Sequence, residues 1–259
     1  MELGLSGRRA VVTGASKGIG FACADRLAQE GCDVVIVSRD AVTLEAARAR
    51  LAGHGTSVTL QALDLGDSRN IDALSGLAAD ADILVNNAGA IPGGRLDEVD
   101  EAEWRAAWDL KVFGYINMSR NFYAAMARRG RGVIVNVVGA AGERVDAGYI
   151  AGSSGNAALI AFTRALGGSS AKDGVRVAGV NPGPVLTERL EWLLRTRAEE
   201  LTGDAERWRE HLSSLPFGRA ATPDEIGALV AFLASDLSGY TTGVTFTVDG
   251  GMGARGAAY

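Results

Sequence analysis

The run Thr13-Gly14-Ala15-Ser16-Lys17-Gly18-Ile19-Gly20 is the first place where residue type and spacing point to chemistry. Glycines at 14 and 18 let a backbone turn tightly and approach a pyrophosphate, and glycine at 20 permits a helix to pack close against a sheet. With a strand before the run and a helix opening inside it, the free N–H groups of the helix face the anion. Ser38 and Arg39 follow the second β-branched run, where an acidic residue would hydrogen-bond a ribose 2′-hydroxyl. A guanidinium in that place pairs instead with a phosphate, often bidentately, and Lys17 in the glycine loop offers a second cation to the same group. Asp40 reads as the N-cap of a helix starting at Ala41.

These residues meet only if the surrounding elements bring them together. Short β-branched runs near 9–13, 33–38, 57–63, 82–86, 133–137, 175–180 and 244–248 alternate with amphipathic stretches near 18–30, 41–52, 68–79, 101–129, 149–171 and 223–234. Parallel strands need crossovers, and crossovers pack as helices. The alternation therefore predicts one α/β domain over 1–259, a doubly wound parallel sheet of about seven strands with helices on both faces. The segment 188–215 interrupts the rhythm, with seven acidic and five basic residues around Leu190, Trp192, Leu193, Leu194, Trp208 and Leu212. It reads as a helical lid over a ligand site or as an ordinary surface helix pair.

Composition removes several classes. The 47% hydrophobic and 22% charged residues match soluble globular chains and exclude disordered and fibrous ones. The longest apolar run, 228–234, is far short of the about 20 residues that a membrane span needs. The first residues lack a signal-peptide pattern, so the cytoplasm is the expected location. A net charge of −5 with no block of like charge argues against a nucleic-acid partner. Cys23, Cys32, His54 and His211 have no metal-ligand spacing, so no metal is expected. The 35 glycines, roughly twice average usage, have no collagen period and must act locally.

The spacing T-G-x-x-x-G-x-G resembles the short-chain dehydrogenase/reductase family. Asn86-Asn87-Ala88-Gly89 matches the family's N-N-A-G, and Asn181-Pro182-Gly183 with Thr187 matches its P-G-x-x-x-T. Phe217-Gly218-Arg219 and the runs 223–226, 232–236 and 242–251 resemble its C-terminal signature, so the likeness covers about residues 5–252. It implies a Rossmann-type fold, a nicotinamide cofactor and redox chemistry on a carbonyl or alcohol. With Lys17, Ser38 and Arg39 as they stand, the implied cofactor is NADP(H). By resemblance Thr187 holds the nicotinamide carboxamide, Asp64 meets the adenine amine, and Asn86 and Gly89 line the ribose side of the adenosine. The expected cofactor contacts are Gly14, Ser16, Lys17, Gly18, Ile19, Gly20, Ser38, Arg39, Asp64, Leu65, Asn87, Ala88, Gly89, Pro182, Gly183, Val185 and Thr187.

In that family a tyrosine donates the proton, a lysine four residues later lowers the tyrosine's pKa, a serine holds the substrate oxygen, and an asparagine completes a water relay. Counting from the flanking motifs puts Lys111 at the asparagine position, Gly139 at the serine, Gly152 at the tyrosine and Asn156 at the lysine. The lysine and asparagine look exchanged. Tyr149, three residues before 152, would on a helix place its ring on the same face, about 5–6 Å away. It is the candidate displaced acid, with Lys111 the cation expected to lower its pKa. The plainer reading packs Tyr149 at a helix start and leaves Lys111 in solvent. Two glycines in place of a serine and a tyrosine predict extra room above the nicotinamide. Two functions stay open: an NADP(H)-dependent oxidoreductase with an atypical site, or a catalytically silent NADP(H)-binding relative acting as redox sensor or oligomer partner. A small-molecule substrate and a homotetramer, with no nucleic-acid or membrane partner, complete the expectation.

Overall fold

In the computed structural model, which describes residues 2–254, apolar side chains alternate along the strands and so divide the core between two faces of one sheet. The strands are β1 (Arg9–Thr13), β2 (Asp33–Ser38), β3 (Val58–Ala62), β4 (Ile83–Asn86), β5 (Gly132–Val137), β6 (Val175–Pro182) and β7 (Val244–Val248). Their order is β3-β2-β1-β4-β5-β6-β7, every neighbouring pair parallel. The expected seven-stranded, doubly wound Rossmann-type sheet is what forms. The chain reverses its winding between β1 and β4, and in open α/β sheets a ligand crevice opens there, beyond the carboxyl ends of the strands.

On one face Ala10, Val12, Ile83 and Val85 pack against α1 (Gly18–Gln29), α2 (Ala41–Leu51) and α8 (Pro223–Ala234), through residues such as Leu27, Leu44 and Val230. On the other, Val11, Leu84 and Ile134 meet Ile71 of α3 (Ser68–Leu77) and Phe122 and Met126 of α5 (Gly114–Arg129). Tyr115, Leu159 and Ile160 join α5 to α6 (Ile150–Ser170).

Three stretches differ from a simple periodic reading. The 101–129 pattern is not one helix: α4 (Glu101–Trp108) passes through a π-helical turn, Asp109–Phe113, before α5 begins. Such turns change which residues face inward and recur at functional sites, and Lys111 lies inside this one. Tyr149 is not a helical residue but the N-cap of α6, with φ −140 and ψ 44. The 188–215 segment forms α7 (Glu188–Thr202) and a 3₁₀ stretch, Ala205–Ser214, joined by Arg195, which pairs with both Glu191 and Glu206. Among the described residues no helix is long and apolar enough to cross a membrane, and no group of His, Cys, Asp or Glu side chains converges to hold a metal.

Candidate functional site

The glycine loop runs from the end of β1 into α1. Lys17, the N-cap of α1, is extended, no side chain caps the helix, and its first turn holds no acidic residue. The leading N–H groups therefore lack the side-chain acceptor that usually serves a helix start, while Lys17, Gly18 and Ile19 line a cavity of about 530 Å³. Gly14 has φ 65, and a Cβ there would lie 2.9 Å from the Ala88 Cα. Only glycine allows this approach. The Thr13 hydroxyl accepts from the N–H groups of Asn87 and Ala88 at 2.9 and 3.0 Å, and the Asn87 amide donates back to the Thr13 and Gly14 carbonyls at 3.1 and 3.3 Å. These bonds fix the glycine loop against the loop after β4. An uncapped helix start behind a glycine cradle fits a pyrophosphate.

Of the expected contacts, Gly14, Ser16, Lys17, Gly18, Ile19, Ser38, Arg39, Leu65, Asn87, Ala88, Gly89, Pro182, Gly183, Val185 and Thr187 all line this cavity. Gly20 sits behind the wall, where a Cβ would collide with the Gly14 carbonyl. Asp64 stands outside the lining; its Oδ1 accepts from the Gly66 N–H at 3.0 Å, and Leu63 and Leu65 form the wall on either side. Asn86 does not reach the ribose side: it is fully buried, and its amide donates to Asn136 Oδ1 and Ser119 Oγ at 2.9 and 3.1 Å. It braces β4 against β5 and α5.

At the end of β2 the Ser16 and Ser38 hydroxyls are 3.2 Å apart. Arg39 is exposed beside them, and no ion pair engages it among the described residues. Asp40 caps α2, its Oδ1 accepting from the Thr43 N–H at 2.7 Å. Lys17 lines the cavity with Arg39. It crosses to α7 and pairs with Glu188 at 3.2 Å.

Lys111, Gly139 and Tyr149 line this cavity and also an adjoining one of about 770 Å³, whose outer wall includes Arg144, Asp146, Asn156, Asp249 and Met252. Lys111 is half-buried, not solvated: its Nζ donates to the Val138 carbonyl at 2.7 Å. A Cβ on Gly89 would come 2.6 Å from its Cδ, so the lysine stem lies flat on that glycine. Burial, with the positive Arg189 nearby, pushes its pKa down from 10.5 to about 8.

The side-chain positions of the two glycines are themselves filled by neighbours, and the room that remains there is the adjoining cavity, which Gly139 and Tyr149 line. A Cβ on Gly152 would fall inside the Tyr149 ring, nearest its Cζ. A Cβ on Gly139 would lie 2.8 Å from Asn156 Nδ2, and Gly139 has φ 143, which disfavours any side chain there. Close packing leaves no such holes empty. Asn156 is buried, and its Oδ1 has no hydrogen-bond partner among the described residues. Burial raises the Tyr149 phenol above its usual 10, and the charge that acts to lower it is Arg189, in place of the expected Lys111. Arg189 is the site residue that pattern reading missed. Its only signal is its place two residues after Thr187.

Residues 14–253 match the family described as enoyl-(acyl carrier protein) reductase. The 2-keto-3-deoxy-L-fuconate dehydrogenase of Xanthomonas campestris pv. campestris is 33% identical over 95% of this chain and 80% of its own. The chain belongs to the short-chain dehydrogenase/reductase family. Another member, the galactitol 2-dehydrogenase (L-tagatose-forming) of Cereibacter sphaeroides, is 36% identical over 95% of each chain. A short-chain dehydrogenase/reductase of known structure, L-sorbose reductase from Gluconobacter frateurii complexed with NADPH and L-sorbose, superposes with a TM-score of 0.92 at 30% identity, covering 98% of this chain and all of that one. These relatives are oxidoreductases, and the last holds a nicotinamide cofactor.

Proposed function

We propose that this chain is an NADP(H)-dependent oxidoreductase of a carbonyl or alcohol substrate in which the proton-handling groups of the family are relocated. The family's asparagine, serine, tyrosine and lysine are replaced at Lys111, Gly139, Gly152 and Asn156, and Tyr149, Lys111 and Asn156 take over their work. The observation that carries this is the Tyr149 ring, which fills the side-chain space of Gly152 while lining the same cavity as Lys111. Bound nicotinamide supplies or accepts hydride at the carbonyl carbon. Burial keeps the Tyr149 phenol protonated at neutral pH, so it has a proton to give to the carbonyl oxygen. The Lys111 ammonium, charged below about pH 8, polarises that oxygen. Asn156 brings its amide to the place a side chain on Gly139 would occupy. Glu188, Arg189, Leu190 and Leu193 of α7 line the cavity, which supports 188–215 as a lid.

Arg39 supports NADP(H) over NAD(H). Arg39→Ala is expected to cost the phosphorylated cofactor about 1.5–3 kcal/mol, the worth of a charged hydrogen bond, and to leave NADH affinity nearly unchanged. Fluorescence titration with both cofactors checks this, and equal affinities in the unmutated protein would overturn it. The function itself is tested by loading the protein with NADPH and following nicotinamide absorbance across ketones, aldehydes and quinones. Tight NADPH binding with no consumption by any of them would leave the silent nucleotide-binding relative as the better description.

A further inference from the structure

Arg189 joins the lid to the catalytic wall. It lies in the first turn of α7, its Nη2 donates to the Ile91 carbonyl at 2.9 Å, and it lines the cavity beside Lys111 and Tyr149. Ile91 packs with Tyr149, and two residues before it Gly89 carries the Lys111 stem, so the loop after β4 brings the guanidinium to the same wall as both. Two cations thus line the first cavity, and each donates to a backbone carbonyl, Ile91 or Val138, with no carboxylate. Neither is part of an ion pair among the described residues. The acidic side chains around the cavities are committed elsewhere. Glu188 pairs with Lys17; Asp146 Oδ1 accepts from the Gly148 N–H at 2.8 Å; the Asp249 carboxylate accepts from the N–H groups of Gly251 and Gly253 at 2.8 and 2.6 Å. Like charges held together in a partly desolvated site repel, and an anion between them removes the penalty.

We propose that Arg189, with Lys111, binds a carboxylate carried on the carbon next to the reacting carbonyl, so that the substrate is a 2-oxo acid, or a 2-hydroxy acid in the reverse direction. A planar guanidinium matches a carboxylate bidentately and fixes its plane. With the carboxylate on Arg189, the neighbouring carbonyl oxygen falls to Lys111 and Tyr149. In reduction the carbonyl carbon gains a hydride and its oxygen gains the Tyr149 proton, with the reduced nicotinamide oxidised in step; the carboxylate is unchanged. This rests on the reductase reading above, so the test is a binding measurement that needs no turnover.

Oxamate, which carries a carboxylate beside a carbonyl, and ethyl oxamate, its uncharged ester, are titrated by calorimetry into the NADPH-loaded protein, and into Arg189→Leu and Arg189→Lys. Oxamate is expected to bind roughly 10- to 100-fold more tightly than the ester, the range of a charged hydrogen bond. Arg189→Leu should erase that preference, Arg189→Lys should keep part of it, and NADPH affinity should hold in both. Equal binding of the two probes to the unmutated protein overturns the proposal. So does an Arg189→Leu protein that loses NADPH instead, because the cation then serves the cofactor, or one that weakens both probes alike, because Arg189 is then only a latch for α7. If oxamate shows its preference but no 2-oxo acid consumes NADPH while another carbonyl compound does, the 2-oxo acid assignment is overturned; if no carbonyl compound of any class consumes it, the carboxylate site stands and the reductase reading falls.

Discussion

Tyr149→Phe is expected to lower the rate of NADPH consumption by roughly 10²–10⁴, the usual worth of a positioned general acid, with NADPH affinity unchanged. Phenylalanine keeps the ring that occupies the side-chain space of Gly152 and removes only the hydroxyl, so that packing is preserved. No hydrogen bond holds that hydroxyl among the described residues, which leaves it free for a substrate oxygen. If Tyr149 only packs at the start of α6, steady-state rates of the two proteins will coincide.

Lys111→Met is expected to slow turnover by roughly 10²–10³, the loss seen when one donor to a developing oxyanion is removed. The pH dependence follows from the same side chain. Its pKa is lowered to about 8 in the folded protein, so the ammonium is present below that pH and lost above it. The rate of carbonyl reduction should accordingly fall as pH rises through about 8, and Lys111→Met should remove that limb. Stability moves the other way. A folded-state pKa below the unfolded 10.5 means that holding the charge disfavours folding at neutral pH, a penalty relieved as pH rises from about 8 through 10.5. The methionine variant should therefore be at least as stable at pH 7 by urea denaturation, which separates lost chemistry from lost fold. A rate unaffected by Lys111→Met would show the ammonium to be a packing residue hydrogen-bonded to Val138.

The strands and the nucleotide cradle were legible in the sequence because their causes are local. Val11 and Val12 point to opposite faces because a strand has a period of two. Gly14 and Gly20 are required by approaches that no side chain allows. What escaped is set by tertiary packing. The π-helical turn that carries Lys111 leaves no clear mark in the 101–129 periodicity, so that stretch reads as one helix. The side-chain space at Gly139 is filled by Asn156, seventeen residues on, and that at Gly152 by the neighbouring Tyr149 ring, which lies closer than the spacing alone implied because a hole would forfeit their contacts. Lys17 and Arg39 read alike as cations near a phosphate, and only the position of α7 shows that Lys17 also meets Glu188. Arg189 carries no motif; its meaning comes from its bond to Ile91, which packs with Tyr149, and from the cavity it lines with Lys111, all distant in sequence.

The relocation of the acid is tested most directly by the turnover of Gly152→Ala. Replacing a helical glycine with alanine ordinarily stabilises a helix by about 0.5–1 kcal/mol, which offsets part of the about 1–3 kcal/mol that overpacking at this buried position costs. The new Cβ, however, claims the space of the Tyr149 ring and must turn the ring aside. The expected result is NADPH consumption reduced toward that of Tyr149→Phe, with NADPH affinity intact and the fold retained by circular dichroism. Consumption at the unmutated rate by Gly152→Ala would contradict Tyr149 as the proton donor.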